Sequence, residues 1–364
     1  MLTRFSPDPM DRLRVAVTIK EIAAKAGYSH AVVSSVLNGR AVERRISLNA
    51  ARKVEEAARD LGYVPNMAAR RLRSHEAGTS QAVLAVITSF EAPLLLVSRA
   101  VRALQRCIEQ AGDSRTQFTI TIEMFRAGRL SELPGLLTND RFSGAIIANT
   151  IEADDHFLEH ARVPFPAVLI GRMVPGYASV LESAETGGAA ARLLLDSGAK
   201  RCAILEPVLS TATNLARSSH FAAALREAGL PGPIELKCFD RSERAGYEAM
   251  HAHLASARRA DGFFAITDTL AAGAYHAVRE SGLTIPGDLC FVGVGDSESG
   301  PYLGPPLACV GSSEEAIHLE AARRLLQCFS GGGALRVPVR LPLQILPGGS
   351  TRVHVAEKFS NRPS

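Results

Sequence analysis

From Ala82 onward, short runs of apolar residues alternate with helical stretches, and this alternation restricts the fold more than any other feature of the chain. Residues 82–87, 118–124, 144–148, 167–170, 202–205, 262–266 and 289–294 read as strands, and residues 97–111, 186–197, 218–228 and 271–281 as helices. Strands that are apolar along nearly their whole length are buried on both faces, which is the situation of parallel sheets flanked by helices. The plan runs twice, so the expected body is α/β, with two parallel-sheet lobes. Ligands of such sheets sit beyond the strand C-termini, here in a cleft between lobes.

The first seventy-five residues follow a different rule. Thr18 and Glu21 have capping-box spacing, and Ile19, Ile22, Ala23 and Ala26 then fall on one helical face. Gly27 stops that helix. Ser29 caps a second one, with Val32, Val33, Val36 and Leu37 apolar, which ends at Asn38-Gly39. Two short helices joined by a tight glycine turn form a helix-turn-helix. A third helix is expected after Ser47, with Ala50, Ala51, Val54, Ala57, Ala58 and Leu61 on one face, ending at Gly62. This all-α headpiece is expected over residues 15–64, after a disordered arm at 1–14. Periodicity alone leaves open a plain helical bundle. Charge leans the other way: residues 1–75 hold fourteen Lys/Arg against seven Asp/Glu, net +7, while the rest of the chain is −3. A basic head on a mildly acidic body suits a protein that sets one end on a polyanion.

Other classes are poorly matched. No stretch approaches the ~18 apolar residues of a membrane span, and the arm lacks the apolar core of an export signal, so a cytoplasmic protein is expected. The six cysteines are widely spaced without a C-x-x-C pair, which reads as reduced thiols and implies no zinc site and no cofactor. There is no G-x-S-x-G, H-E-x-x-H or P-loop, so no enzyme is expected.

The run TIKEIAAKAGYS from Thr18, the VSSVLNG from Val33, the LGYVPN from Leu61 and the following Ala68, Ala69 and Leu72 together resemble the start of LacI/GalR-family repressors. The resemblance continues more loosely to near Thr351, through ITDTLA at 266–271, IPGDL at 285–289 and VGVGD at 292–296. Pro305-Pro306-Leu307 matches the crossing back to the first lobe. It implies a periplasmic-binding-protein-like sensor over residues 82–364 that binds a small-molecule effector, a sugar or another metabolite, and forms a homodimer on a palindromic operator DNA. The tail after Arg352 has no heptad repeat, so no coiled-coil tetramer is expected.

Site residues follow from the same resemblance. The second helix enters the major groove, with His30, Ala31 and Ser35 toward base edges. Thr18, Ser29, Ser34 and Asn38 are placed as phosphate contacts, with helix capping as the alternative role. Arg44 lies in a loop from Gly39 to Arg45 about three residues longer than usual, a phosphate clamp or simply a solvated loop. Residues 65–81 are expected to be hinge helix and linker. Tyr63 ends the third helix, Asn66 caps a short helix too brief to be stable alone, Ala69 is the close-approach residue between copies, and Leu72 is the wedge into the central base step. In the sensor, Ser89, Phe90, Arg217, Asp268 and Asp296 are the effector candidates, with helix capping as the alternative for both aspartates. Three departures stand out. Ser35 sits where many relatives carry arginine, Ser183-Ala184 where they often have Asp-Asn, and Gly295 where they have the first Asp of F-D-D. Sugar sites use such carboxylates and amides to accept hydroxyl protons. A non-sugar ligand, with a corepressor-dependent or effector-independent regulator, is therefore the alternative.

Overall fold

The structure, a computed structural model, describes residues 19–37, 41, 44–61, 80–112, 116–138, 140–328 and 337–353. The chain divides into two compact units, Met1–Arg70 and Arg71–Ser364. In the first, α1 (Ile19–Ala26), α2 (His30–Leu37) and α3 (Leu48–Leu61) form as the periodicity predicts. Gly27 ends α1 at φ +72°, a left-handed conformation that a Cβ disfavours. Ser29 Oγ accepts the Val32 amide at 3.4 Å and Ser47 Oγ accepts the Ala50 amide at 3.3 Å, so each caps the helix behind it. Thr18, the expected cap of α1, lies outside the described residues. Ile22, Val33, Val36, Val54, Ala57 and Ala58 close the core between the three helices.

The second unit holds two six-stranded sheets. The first lobe is built from β1 (Ser80–Ser89), α4 (Leu94–Ala111), β2 (Thr116–Phe125), β3 (Gly144–Ala148), α5 (Glu152–His160), β4 (Ala167–Ile170) and β5 (Ala178–Leu181). The second comprises α6 (Thr186–Asp196), β6 (Cys202–Pro207), α7 (Ala212–Glu227), β7 (Ile234–Cys238), α8 (Glu243–Leu254), β8 (Gly262–Ala265), α9 (Asp268–Glu280), β9 (Cys290–Val294) and β10 (Ala308–Gly311). The chain then returns to the first lobe with α10 (Glu314–Gln327) and β11 (Val339–Arg340), and ends in the second with β12 (Gln344–Leu346). The strand orders are β11-β5-β4-β3-β1-β2 and β12-β10-β9-β8-β6-β7, parallel throughout except for β10 against β12.

Both faces of the central strands of each sheet are buried, as the apolar runs demand. In β1, Leu84 and Val86 pack with Leu104 of α4 and Leu325 of α10, while Ala85 and Ile87 pack with Phe142, Leu158 and Leu169 on the other face. In β8, Phe263 meets Met250, Tyr275 and Phe291, and its neighbour Phe264 meets Leu194, Phe221 and Val292. This is the period-two alternation of a strand covered on two sides.

Two sequence readings need correction. Pro305-Pro306-Leu307 is not the crossing to the first lobe. It leads into β10, which pairs with β9 of the second sheet, and the chain crosses only after Gly311. The helix read as starting at Ser218 starts at Ala212, because Thr211 Oγ1 accepts the Asn214 amide and caps it there. Arg217 therefore lies inside α7 rather than at its start. Elements α5, β5, β7, α8, β10, α10, β11 and β12 were not read from the sequence at all.

Candidate functional site

In the head, α2 separates what it buries from what it shows. Val33 and Val36 are buried, whereas Ser29, His30 and Ala31 at its start are exposed. Ser35 is half-buried and its hydroxyl donates to the Ala31 carbonyl at 2.8 Å, which leaves only its oxygen lone pairs to accept from a partner. Ser34 is also half-buried. Arg44 and Arg45 are exposed, Arg45 at φ +53°, and the Ile46 amide closes the loop on the Ala41 carbonyl at 2.8 Å. Asn38, Tyr63, Asn66, Ala69 and Leu72, like Thr18, lie outside the described residues.

In the sensor, a cleft of about 1030 Å³, open mouth included, lies among the C-terminal ends of the strands. The second lobe supplies Arg217 from α7, Arg241 from the β7–α8 loop and Asp268 from the start of α9. The first supplies Arg99 from α4, Arg172 after β4 and Glu182 after β5. Each loop residue follows directly from strand polarity: a parallel strand delivers the residue after its last one to the same edge.

Arg217 is where the expected clamp is, but it is already engaged. Its Nε and Nη2 donate to the two carboxylate oxygens of Glu182 at 2.8 and 2.6 Å, its Nη1 donates to the Ile266 carbonyl at 3.1 Å, and Glu314 stands 3.6 Å away. At 7% exposure, burial works against its charge, yet Glu182 outweighs that and holds the guanidinium above its usual range. Gly187 makes this arrangement fit. A Cβ there would come within 2.1 Å of the Arg217 carbonyl, so α6 can approach α7 only as glycine. Arg172, at 4% exposure, donates to Asp155 at 3.1 Å and to the Ile170 carbonyl at 3.0 Å; burial lowers it to about 10 in spite of Asp155.

Asp268 lines the cleft, its oxygens accepting from Ser297 Oγ at 3.1 Å and its neighbour's amide at 2.9 Å. Asp296 does not line it. Asp296 instead caps α10 by accepting from the Glu314 amide and Ser313 Oγ, both at 2.7 Å, and it takes Arg99 at 3.4 Å, with the Asp296 carbonyl accepting a further bond from Arg99 at 2.9 Å. The capping role, weighed against ligand binding in the sequence, is the one the geometry supports. Ser89 is the buried last residue of β1, and Phe90 is 60% exposed in the turn after it; the same connection reaches the cleft only from Pro93 onward. His318 of α10 lines the cleft; burial lowers its pKa, against the pull of Glu314.

Sequence reading thus missed Arg99, Arg172, Glu182, Arg241 and His318. Arg172 was within reach, since it follows a strand that had been read. Arg241 and Glu182 follow β7 and β5, strands that had not. Cation–carboxylate contacts join the two lobes around this cleft: Arg99 with Asp296 and Glu298, and Arg217 with Glu182 and Glu314. Apart from the cleft, His156, Glu159 and His160 on the exposed face of α5 are the group with metal-ligating proximity among the described residues. No described helix is long and apolar enough to cross a membrane.

Residues 18–66 match the family described as bacterial regulatory proteins, lacI family, and residues 191–351 match a periplasmic binding protein-like domain. The HTH-type transcriptional repressor PurR of Actinobacillus pleuropneumoniae serotype 3 (strain JL03) is 26% identical over 314 residues, 85% of this chain and 90% of that protein. The HTH-type transcriptional regulator CelR of Thermobifida fusca is 28% identical over 337 residues, 90% and 95% of the two. Among solved structures, the lac repressor dimer bound to operator and the anti-inducer ONPF is similar with a TM-score of 0.66 and 24% identity, over 93% of this chain and 100% of that one.

Proposed function

Since the chain belongs to the LacI family of bacterial regulatory proteins, we propose that it is a transcriptional repressor whose paired heads read a palindromic operator, while the sensor cleft binds a small molecule that alters this grip. The observation that carries the reading is the division within α2: Val33 and Val36 anchor it in the core, and His30 and Ala31 face outward from its first turn. A helix held this way presents its N-terminal side chains to base edges in the major groove. His30 donates or accepts there, Ala31 offers only apolar contact such as a thymine methyl, and Ser35 accepts weakly and without selectivity. Ser29, Ser34, Arg44, Thr18 and Asn38 serve as phosphate contacts that set register. Tyr63 and Asn66 lead into the hinge, whose Ala69 and Leu72 act in the minor groove. On this reading the head covers residues 15–64, the hinge and linker 65–81 and the sensor 82–364.

One head reads one half-site, so a palindrome requires the homodimer. Coupling works through differential affinity. A ligand seated between the lobes favours whichever closure it contacts better, and that preference shifts the pair of heads. The chain acts as a binding protein in the cytoplasm rather than as an enzyme; the relatives it matches are transcriptional repressors and regulators.

Selection of binding sites from random duplexes with the purified full chain tests this. A palindromic consensus bound roughly 10³-fold or more above random duplex is expected. Equal affinity for selected and random DNA overturns the proposal.

A further inference from the structure

The charges around the cleft narrow the chemistry of the effector. Four arginines line it: Arg99, Arg172, Arg217 and Arg241. The chain itself answers three of them with carboxylates. Arg99 has Asp296 and Glu298, each at 3.4 Å, Arg172 has Asp155 at 3.1 Å, and Arg217 has Glu182 at 2.6 Å. Arg241 is different. It is half-buried on the β7–α8 loop, and among the described residues its guanidinium has neither a hydrogen bond nor a carboxylate within ion-pair distance. The loop itself is held in place, because the Arg241 carbonyl accepts from Thr269 Oγ1 at 2.5 Å at the start of α9.

A cation withdrawn from water without a counter-charge is costly, and evenly partnered neighbours make this one conspicuous. Burial first, and then the nearby Arg217, hold Arg241 below the usual guanidinium range, against the pull of Glu91, which lies beyond ion-pair distance; Arg241 in turn pushes Arg172 down. Arg241 thus repels both Arg217 and Arg172, and of the three only those two have a carboxylate within ion-pair distance. The cleft also holds one carboxylate, Asp268, with no cation within ion-pair distance among the described residues; it accepts from Ser297 and from its neighbour's amide, with lone pairs to spare.

We infer that the effector is a hydroxylated small-molecule anion, whose carboxylate or phosphate seats against Arg241 and whose hydroxyl donates to Asp268. The inference rests on the effector-controlled reading above. Guanidinium groups bind both carboxylates and phosphates through paired N–H donors, so the two anions are separate arms of one test.

Glucose, glucuronate and glucose 6-phosphate form a matched trio that differs only at one ring substituent. Each is titrated calorimetrically into the full chain, as wild type, Arg241→Gln and Arg241→Lys, at one ionic strength, and operator affinity is measured with each. At least one anion is expected to bind tenfold or more tightly than glucose. Arg241→Gln removes most of that advantage, and Arg241→Lys keeps part of it. The arm that binds identifies the anionic group. Without ligand, Arg241→Gln is expected to leave the unfolding midpoint unchanged or raise it by about 2 °C, since an unanswered charge has been removed.

The inference is overturned if neither anion outperforms glucose, if the anion's advantage survives in Arg241→Gln, or if that variant without ligand melts several degrees lower, which makes Arg241 a structural prop. The two readings fail separately. Glucose binding that changes operator affinity keeps effector control and sinks the anion. An anion bound through Arg241 without any change in operator affinity keeps the anion and sinks effector control.

Discussion

The head and the sensor are held together by cores of different make. Among the described residues of the head, the fully buried side chains are Ile22, Val33 and Val54, and the other buried ones are Val36 and three alanines, with partly buried side chains such as Leu37 and Ile46 packed around them. In the sensor, four clusters cover both faces of both sheets, and three of them hold the fully buried Phe142, Phe221, Phe263, Phe264 and Phe291. Short side chains bury little apolar area, and a small unit buries a smaller share of its surface. The sensor can therefore carry buried charge, such as Arg217 with Glu182 and Arg172 with Asp155, which the head's core could not offset. The head keeps its polar groups outside, where DNA can use them. On the proposed reading, stability and recognition lie on opposite sides of α2 in the head, whereas in the sensor the cleft-lining charges are part of what joins the lobes.

The sharpest way to break this contrast is Ile22→Ala. Loss of a buried isoleucine costs about 2–5 kcal/mol, a large part of what so small a unit holds. Calorimetry is expected to show the head's transition lost and the sensor's unmoved, with sequence-specific DNA binding abolished. A head that still melts cooperatively would show that its core is stronger than the side chains imply. Next is Glu182→Gln, expected to lower sensor stability by about 3 kcal/mol, the low end for breaking a buried pair, because Glu314 at 3.6 Å still shares the charge of Arg217. Denaturant unfolding checks it, and replacing Glu182 and Arg217 together by methionine should recover most of the loss. His30→Ala is expected to leave both transitions in place, since His30 is exposed, yet to cost about 1–3 kcal/mol of discrimination at one base position in each half-site. Binding to a set of single-base operator variants measures it; unchanged preference removes His30 from base reading. The smallest effect belongs to Arg44→Ala. Loss of one phosphate contact should flatten the slope of log affinity against log salt by about 0.9 on any duplex, and an unchanged slope returns the loop to plain solvent.

Local rules carried the sequence reading as far as they apply. Capping serines, Gly27 and the spacing of Ile22, Val33 and Val54 specify three short helices without reference to the rest of the chain, and all three lie where the periodicity placed them. Runs such as 144–148 and 167–170 announced central strands because burial on both faces leaves no polar residue among them. Some of the strands that escaped have no such run. β7 reads I-E-L-K-C because it is the edge of its sheet, with one face half-open to solvent, and β11 and β12 are two and three residues long. With β7 unread, Arg241 had no place at a strand end.

The amino-acid sequence alone determined the helices of the head, the α/β class of the body and the doubling of its plan, since caps, turns and apolar runs act between residues a few positions apart. Which arginine is answered and which stands open was decided only by the tertiary structure. Glu182 meets Arg217 across 35 positions, Asp296 meets Arg99 across 197, and Arg241 has no carboxylate within ion-pair distance among the described residues. Charge pairing depends on distances of a few ångströms between strands that are remote in the chain, and no local pattern encodes them.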